Sequence, residues 1–152
     1  TKFTRAEQVT MMTLWCIFRS PMMLGAEMTK MDDWTLSLLT NEKVLELLKD
    51  GHHGVQVERT DDYVVWAGWN EKDGSVYAAL FNLQEEEANV TVALADIEAA
   101  LALEIAEGLQ KKYASPEGEI TLRELWTGTE EYCTGSVVYS PVESHGAKLF
   151  AL

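Results

Sequence analysis

The sequence predicts an α/β segment followed by an antiparallel all-β sandwich, and three observations lead there. Hydrophobic spacing changes near residue 50 from a helical period to an alternating one. Before that point a long apolar helical run is followed by a short, wholly apolar one, the pattern of a helix feeding a buried strand. After it, seven short runs rich in β-branched and aromatic residues are separated by turn residues, enough strands for a sandwich. Asp50-Gly51-His52-His53-Gly54 supplies turn residues between the two regimes, so the boundary is placed there, with residues 1–53 in the first part and 54–152 in the second.

Thr4-Arg5-Ala6-Glu7 fits a capping box, in which the Thr4 hydroxyl and the Glu7 carboxylate satisfy each other's backbone donors. A helix is therefore expected from Arg5 to Phe18. It carries Val9, Met11, Met12, Leu14, Trp15, Ile17 and Phe18, an apolar surface too wide for a helix lying on a core with one face in water. Ser20-Pro21 is expected to end it, since proline cannot continue the hydrogen-bond ladder. Met22-Met23-Leu24, closed by Gly25, then reads as a buried parallel strand. Asp32 is positioned to cap a second helix bearing Trp34, Leu36, Leu38 and Leu39, and Val44 to Leu48 reads as another mostly apolar strand.

In the second part, strands are expected at Val55 to Glu58, Tyr63 to Trp69, Val76 to Leu83, Asn89 to Leu94, Ile120 to Trp126, Ser136 to Tyr139 and Ala147 to Leu152. Asp73-Gly74 gives a hairpin signal between two of them, and Thr60-Asp61-Asp62 and Gln84 to Glu87 are polar connections. An alanine-rich stretch near 95–114, containing Leu101, Ile105 and Leu109, reads as a helical insertion stopped by Ser115-Pro116-Glu117-Gly118.

Composition narrows the function classes. A net charge of -13 with no Lys/Arg stripe opposes binding to phosphate backbones, so no nucleic-acid partner is expected. No apolar run approaches the roughly 20 residues of a membrane span, so a soluble domain is expected, its compartment left open. The chain starts at Thr1 without an initiator methionine, and its natural amino terminus is expected upstream. Cys16 and Cys133 have neither disulfide-framework nor metal-knuckle spacing and read as buried or free thiols.

Several residue groups invite a chemical reading. His52-His53 beside Asp50 lacks a third ligand at a useful spacing, so no metal site or cofactor is expected. Ser144-His145-Gly146 has no nucleophile elbow and reads as a tight turn. Asp32-Asp33, Asp61-Asp62 and Glu130-Glu131 are neighbours in sequence, whereas glycosidase chemistry needs two carboxyls facing across a substrate; they read as a cap and two solvated turns. Asn89-Val90-Thr91 fits a glycosylation sequon within an expected strand. Trp66, Trp69, Tyr77 and Phe81 could stack on sugars, but their strand spacing favours core packing. If Met22 to Leu24 and Val44 to Leu48 are strands of a (β/α)8 barrel, Glu27 and Asp50 stand on the loops of its active face and are the substrate-binding candidates.

Glu7-Gln8, Leu14-Trp15, Ser20-Pro21-Met22-Met23-Leu24-Gly25 and Leu36 to Leu39 with Thr40-Asn41 and Val44 resemble the last two strand-helix units of glycoside hydrolase family 27, the α-galactosidase and α-N-acetylgalactosaminidase family. Val65-Trp66-Ala67, Gly74-Ser75-Val76 leading to Ala79-Leu80-Phe81-Asn82, Arg123-Glu124-Leu125-Trp126 and His145-Gly146 resemble that family's carboxy-terminal β-sandwich. The resemblance implies the last strand-helix units of a barrel followed by a sandwich. It also implies a parent enzyme that hydrolyses terminal α-linked galactose or a related sugar with retention, through an aspartate nucleophile and an aspartate acid/base. Both lie on earlier barrel strands, so no catalytic residue is expected in this chain and the chain alone is expected to be inactive. Gly25-Ala26-Glu27-Met28 stands where many members have Asn-Asp, and Leu48-Lys49-Asp50 where many have Asn-Gln-Asp, departures that bear on the substrate.

A whole barrel takes roughly 250 residues, so the first helix is expected either to pack on the chain's own sandwich or to drive self-association. The alternative from another class is a stand-alone β-sandwich carbohydrate-binding or interaction module with a helical preface.

Overall fold

The computed structural model describes residues 1–70, 72–102, 120–134 and 136–152. Its elements run α1 (Arg5–Ile17), α2 (Asp33–Leu39), α3 (Glu42–Asp50), β1 (Gly51–Arg59), β2 (Tyr63–Asn70), β3 (Val76–Asn82), β4 (Ala88–Ala93), α4 (Leu94–Ala102), β5 (Ile120–Glu124), β6 (Glu130–Cys133), β7 (Val137–Val142) and β8 (Ala147–Ala151). A six-stranded antiparallel sheet in the order β1-β2-β3-β8-β5-β6 faces a two-stranded antiparallel sheet, β4-β7. Every residue of β3 is buried, because layers cover both faces of the large sheet there.

On one face Val65, Ala78, Leu80 and Phe150 meet Val90, Val92, Val138 and Val142 of the small sheet. Ile97 and Leu101 of α4 belong to the same core. On the opposite face Ala79, Phe81 and Leu149 meet Cys16 and Ile17 of α1 and Val44 and Leu47 of α3. Each fully buried aliphatic side chain adds roughly 1.5–3 kcal/mol, so the helices are integral to the domain. Gly54 makes this contact possible: a Cβ there would collide with the Ile17 carbonyl oxygen.

The capping box forms as expected, with the Glu7 amide donating to the Thr4 hydroxyl at 3.2 Å and the Thr4 amide donating to the Glu7 carboxylate at 2.6 Å. The Asp32 cap also forms, accepting from the Thr35 amide at 2.8 Å. The end of α1 is set before Pro21 is reached. The Ser20 amide bonds the Trp15 carbonyl and the Arg19 amide bonds the Cys16 carbonyl, closing a Schellman turn with Arg19 at φ 52°.

Four expectations are corrected. Met22 to Leu24 is not a strand: it has no ladder partners among the described residues, and Met23 is 84% exposed. A parallel strand needs a hydrogen-bonded neighbour running the same way, and every described strand pairs antiparallel. Val44 to Leu48 lies in helix α3; Asn41 caps it by accepting from the Val44 amide at 3.2 Å, and Val44 and Leu47 share one buried face. The turn expected at 50–54 is a direct passage from α3 into β1, which begins at Gly51. β6, over the residues read as a solvated Glu130-Glu131 turn, is an additional strand. Of the helical insertion near 95–114, the start is seen as α4, and 103–114 fall outside the described residues. No helix among the described residues is long and apolar enough to cross a membrane.

Candidate functional site

The two substrate-binding candidates stand in different surroundings. Glu27 precedes a single 3-10 turn, Met28–Lys30, and is exposed; its carboxylate accepts from the Thr29 hydroxyl at 2.9 Å and pairs with Lys30 at 3.0 Å. Those bonds, Lys30 first, hold its pKa below the usual carboxylate value. Asp50 ends α3, and its carboxylate lies 2.7 Å from the Lys72 ammonium on the β2–β3 hairpin. Lys72 accordingly lowers its pKa. Neither residue lines either of the grooves described below.

The other candidates are structural. His145 sits at φ 51° in the turn before β8, with Nε2 3.2 Å from the Glu85 carboxylate, while its carbonyl accepts from the Thr10 hydroxyl at 2.7 Å. The side chains of His52 and His53 lie outside those described. Tyr77 and Phe81 are buried, and Trp66 meets Phe18 edge-on at 4.3 Å, so these aromatics form no coplanar exposed platform. Cys16 and Cys133 are buried free thiols.

What organises the chain is the seam between its helices and the large sheet. Trp126 Nε1 donates to the Thr13 hydroxyl at 2.9 Å, and the Asn41 amide donates to the Leu125 carbonyl at 2.8 Å. Beneath them Glu124 is buried, its carboxylate accepting from the amides of Trp126, Thr127 and Leu149 and from the Thr127 hydroxyl. Asn82, also buried, donates to the carbonyls of Glu86, Val142 and Glu143 and so ties two loops to β3. Arg19 donates to the Leu48 and Lys49 carbonyls at 3.3 Å each, placing a cation on the negative end of α3.

Two grooves flank this seam. One, of about 550 Å³, has Trp34, Asn41, Trp126, Glu131 and Lys148 among its lining. Two of its charged groups hold each other: Lys148 lies 2.6 Å from both the Glu131 carboxylate and the Ser140 hydroxyl, and Ser140 donates to Glu131 at 2.6 Å. The other, of about 730 Å³, is largely apolar and runs between α1 and the uncovered part of β2. The sequence reading missed it, although Met11, Leu14, Trp15 and Phe18 recur at i, i+3, i+4 and i+7.

Glu124 and Glu131, both on the lining of the smaller groove, are held by internal donors. The fold itself is the identifying feature. Residues 60–152 match the family described as the alpha galactosidase C-terminal beta sandwich domain. The chain belongs to that family.

Likeness to this alpha-galactosidase sandwich family's members extends through the helical preface. The alpha-galactosidase of Cyamopsis tetragonoloba is 27% identical over 151 residues, covering 98% of this chain and 33% of that protein. Alpha-galactosidase D of Emericella nidulans is 31% identical over 153 residues, covering 98% of this chain and 20% of that protein. Among solved structures, a GH27 β-L-arabinopyranosidase of Geobacillus stearothermophilus is 36% identical with a TM-score of 0.80, covering 100% of this chain and 31% of that one. The chain thus spans a third or less of the length of these relatives.

Proposed function

We propose that this chain is the carboxy-terminal portion of a retaining glycoside hydrolase acting on terminal α-galactosides or related sugars, with both catalytic aspartates in sequence that precedes it. The supporting observation is that the likeness to glycosidases runs through α1, α2 and α3 as well as the sandwich, over 98–100% of the chain. In this reading residues 1–53 complete a (β/α)8 barrel, and residues 54–152 form a sandwich that buttresses it. The unladdered Met22 to Leu24 segment, with Met23 and Leu24 exposed, fits a barrel segment whose neighbours lie elsewhere in the parent.

Hydrolysis would proceed by double displacement, one aspartate attacking the anomeric carbon while the other protonates the leaving oxygen and then activates water. This chain's part would be to support the sugar pocket. Of the two candidates, Glu27 keeps a side chain 59% exposed, whereas Asp50 ends helix α3 and not a barrel strand, is 17% exposed and is held by Lys72. The carbohydrate partner follows the relatives, one of which has been solved in complex with arabinose.

The stand-alone binding module has less support, because Tyr77 and Phe81, half of its aromatic platform, are buried. Calorimetric titration of the 152-residue chain with galactose and arabinose separates the two readings. Absence of binding together with absence of turnover of an aryl α-galactoside is expected, and sugar binding by the isolated chain would favour the module.

A further inference from the structure

The helices cover one face of the large sheet and the small sheet covers the other, so the outer face of β4 and β7 points away from α1 and α3. Alternation along the two strands turns Val90, Val92, Val138, Ser140 and Val142 inward, where all are buried. It turns six residues outward as cross-strand pairs: Asn89 opposite Pro141, Thr91 opposite Tyr139, and Ala93 opposite Val137. Asn89, Thr91, Tyr139 and Pro141 are exposed. None of the six is charged, although 24% of the chain is. Charged side chains on exposed strands ordinarily oppose association, as Arg123 and Glu130 do on β5 and β6. We infer that this uncharged face of the small sheet is a self-association surface, on which a second copy of the protein packs sheet to sheet.

Charge selects the occupant. A net charge of -13 makes two copies repel, so their approach is least opposed through a face that adds no charge. A basic partner would find no carboxylate among the six, and a nucleic acid would find no cation. Most oligomers are closed by two-fold axes. An axis lying in the interface and running across the strands sets each strand over its own copy in reverse. Tyr139 then stacks on the same residue of the second copy, with the sheets about 10 Å apart. Glu86, Glu87 and Glu143 are exposed at the Ala88 and Val142 end of the small sheet, and this axis keeps the two acidic rims at opposite ends. Two strands of six residues make a face of roughly 20 by 10 Å, which fits a weak, concentration-dependent dimer and not an obligate one. The helices take no part in it, so the inference does not rest on the glycosidase reading.

The test is sedimentation velocity on the full-length protein from ~1 to ~500 μM, where dimerisation by mass action is expected. Tyr139→Glu should raise the dimer dissociation constant at least ~100-fold, because it sets two carboxylates face to face. Tyr139→Lys should do the same with two ammonium groups. Mixing the two variants should restore dimers, which misfolded variants would not form. Tyr132→Gln, at an exposed site on β6 outside this face, should leave dimerisation unchanged.

A protein that stays monomeric to ~500 μM would overturn the inference, as would an oligomer that both Tyr139 variants leave intact. A monomer retarded by galactomannan in affinity electrophoresis, and released by Tyr139→Glu, would make a polysaccharide the occupant in place of a second copy. An inactive protein that dimerises through Tyr139 would contradict only the glycosidase reading, and an active one that remains monomeric would contradict only the self-association.

Discussion

Trp126 Nε1 donates to the Thr13 hydroxyl at 2.9 Å, joining a turn of the sandwich to the buried face of α1. The two residues are 113 positions apart in sequence, so the bond exists only when helix and sandwich fold as one unit. Thr13→Val keeps the shape of the side chain and removes the acceptor, leaving the indole N–H without its partner. The expected cost is about 1–3 kcal/mol, read as a lower denaturant midpoint with unchanged slope; Thr13→Ser should recover most of it.

Glu124 presents both carboxylate oxygens to donors and none to an acceptor. Glu124→Gln must turn an NH2 group toward one pair of those donors. A loss of roughly 1.5–3 kcal/mol is expected, measured by chemical denaturation, and a neutral result would show that the donors find other partners.

Gly54 lies against the Ile17 carbonyl, and even a methyl group there overlaps the backbone of α1. Gly54→Ala is expected to lift the end of α1 from β1 and lower Tm by several degrees. Faster amide exchange at Cys16 to Phe18 would locate the effect.

Asp50 beside Lys72, and Asp32 held mainly by the Thr35 hydroxyl and amide, both have pKa values below the ordinary carboxylate value. A depressed folded pKa adds stability above the unfolded pKa and loses it as pH falls through the folded one. Stability should therefore fall as acid protonates these groups, and Asp50→Asn should flatten that part of the pH profile. Lys72→Ala should flatten it too, because it removes the cause of the Asp50 shift.

Burial pushes the Cys16 thiol up to about 11, so it carries almost no thiolate at pH 8. The folded chain should leave Cys16 unlabelled by iodoacetamide at that pH, with labelling appearing at the rate of unfolding.

Local chemistry made part of the fold legible in the sequence. Thr4 and Glu7 announced the start of α1, Asp32 announced α2, and the alternating runs gave β2 and β3 nearly to the residue. Expectations failed where structure depends on absent neighbours or where periodicity is short. Met22 to Leu24 has strand composition but no parallel partners among the described residues. The run from Val44 to Leu48 is too short for spacing to separate helix from strand; Asn41 three residues before Val44 was the available capping signal. β6 was hidden by Glu130 and Glu131, which pair with Arg123 on the adjacent β5 and with Lys148 on β8. Of the two rim candidates, the sequence could place Asp50 at an element's end but not foresee Lys72 arriving from the next hairpin. The apolar groove escaped notice because the two stripes of α1 overlap in sequence, and only the folded chain separates the buried one from the open one.

The most direct measurement is the intact mass of the native protein from its source, made on the same sample as an aryl α-galactoside assay. A mass well above 17.0 kDa with turnover is expected if this chain completes a glycosidase. A native mass near 17.0 kDa without turnover would contradict that claim.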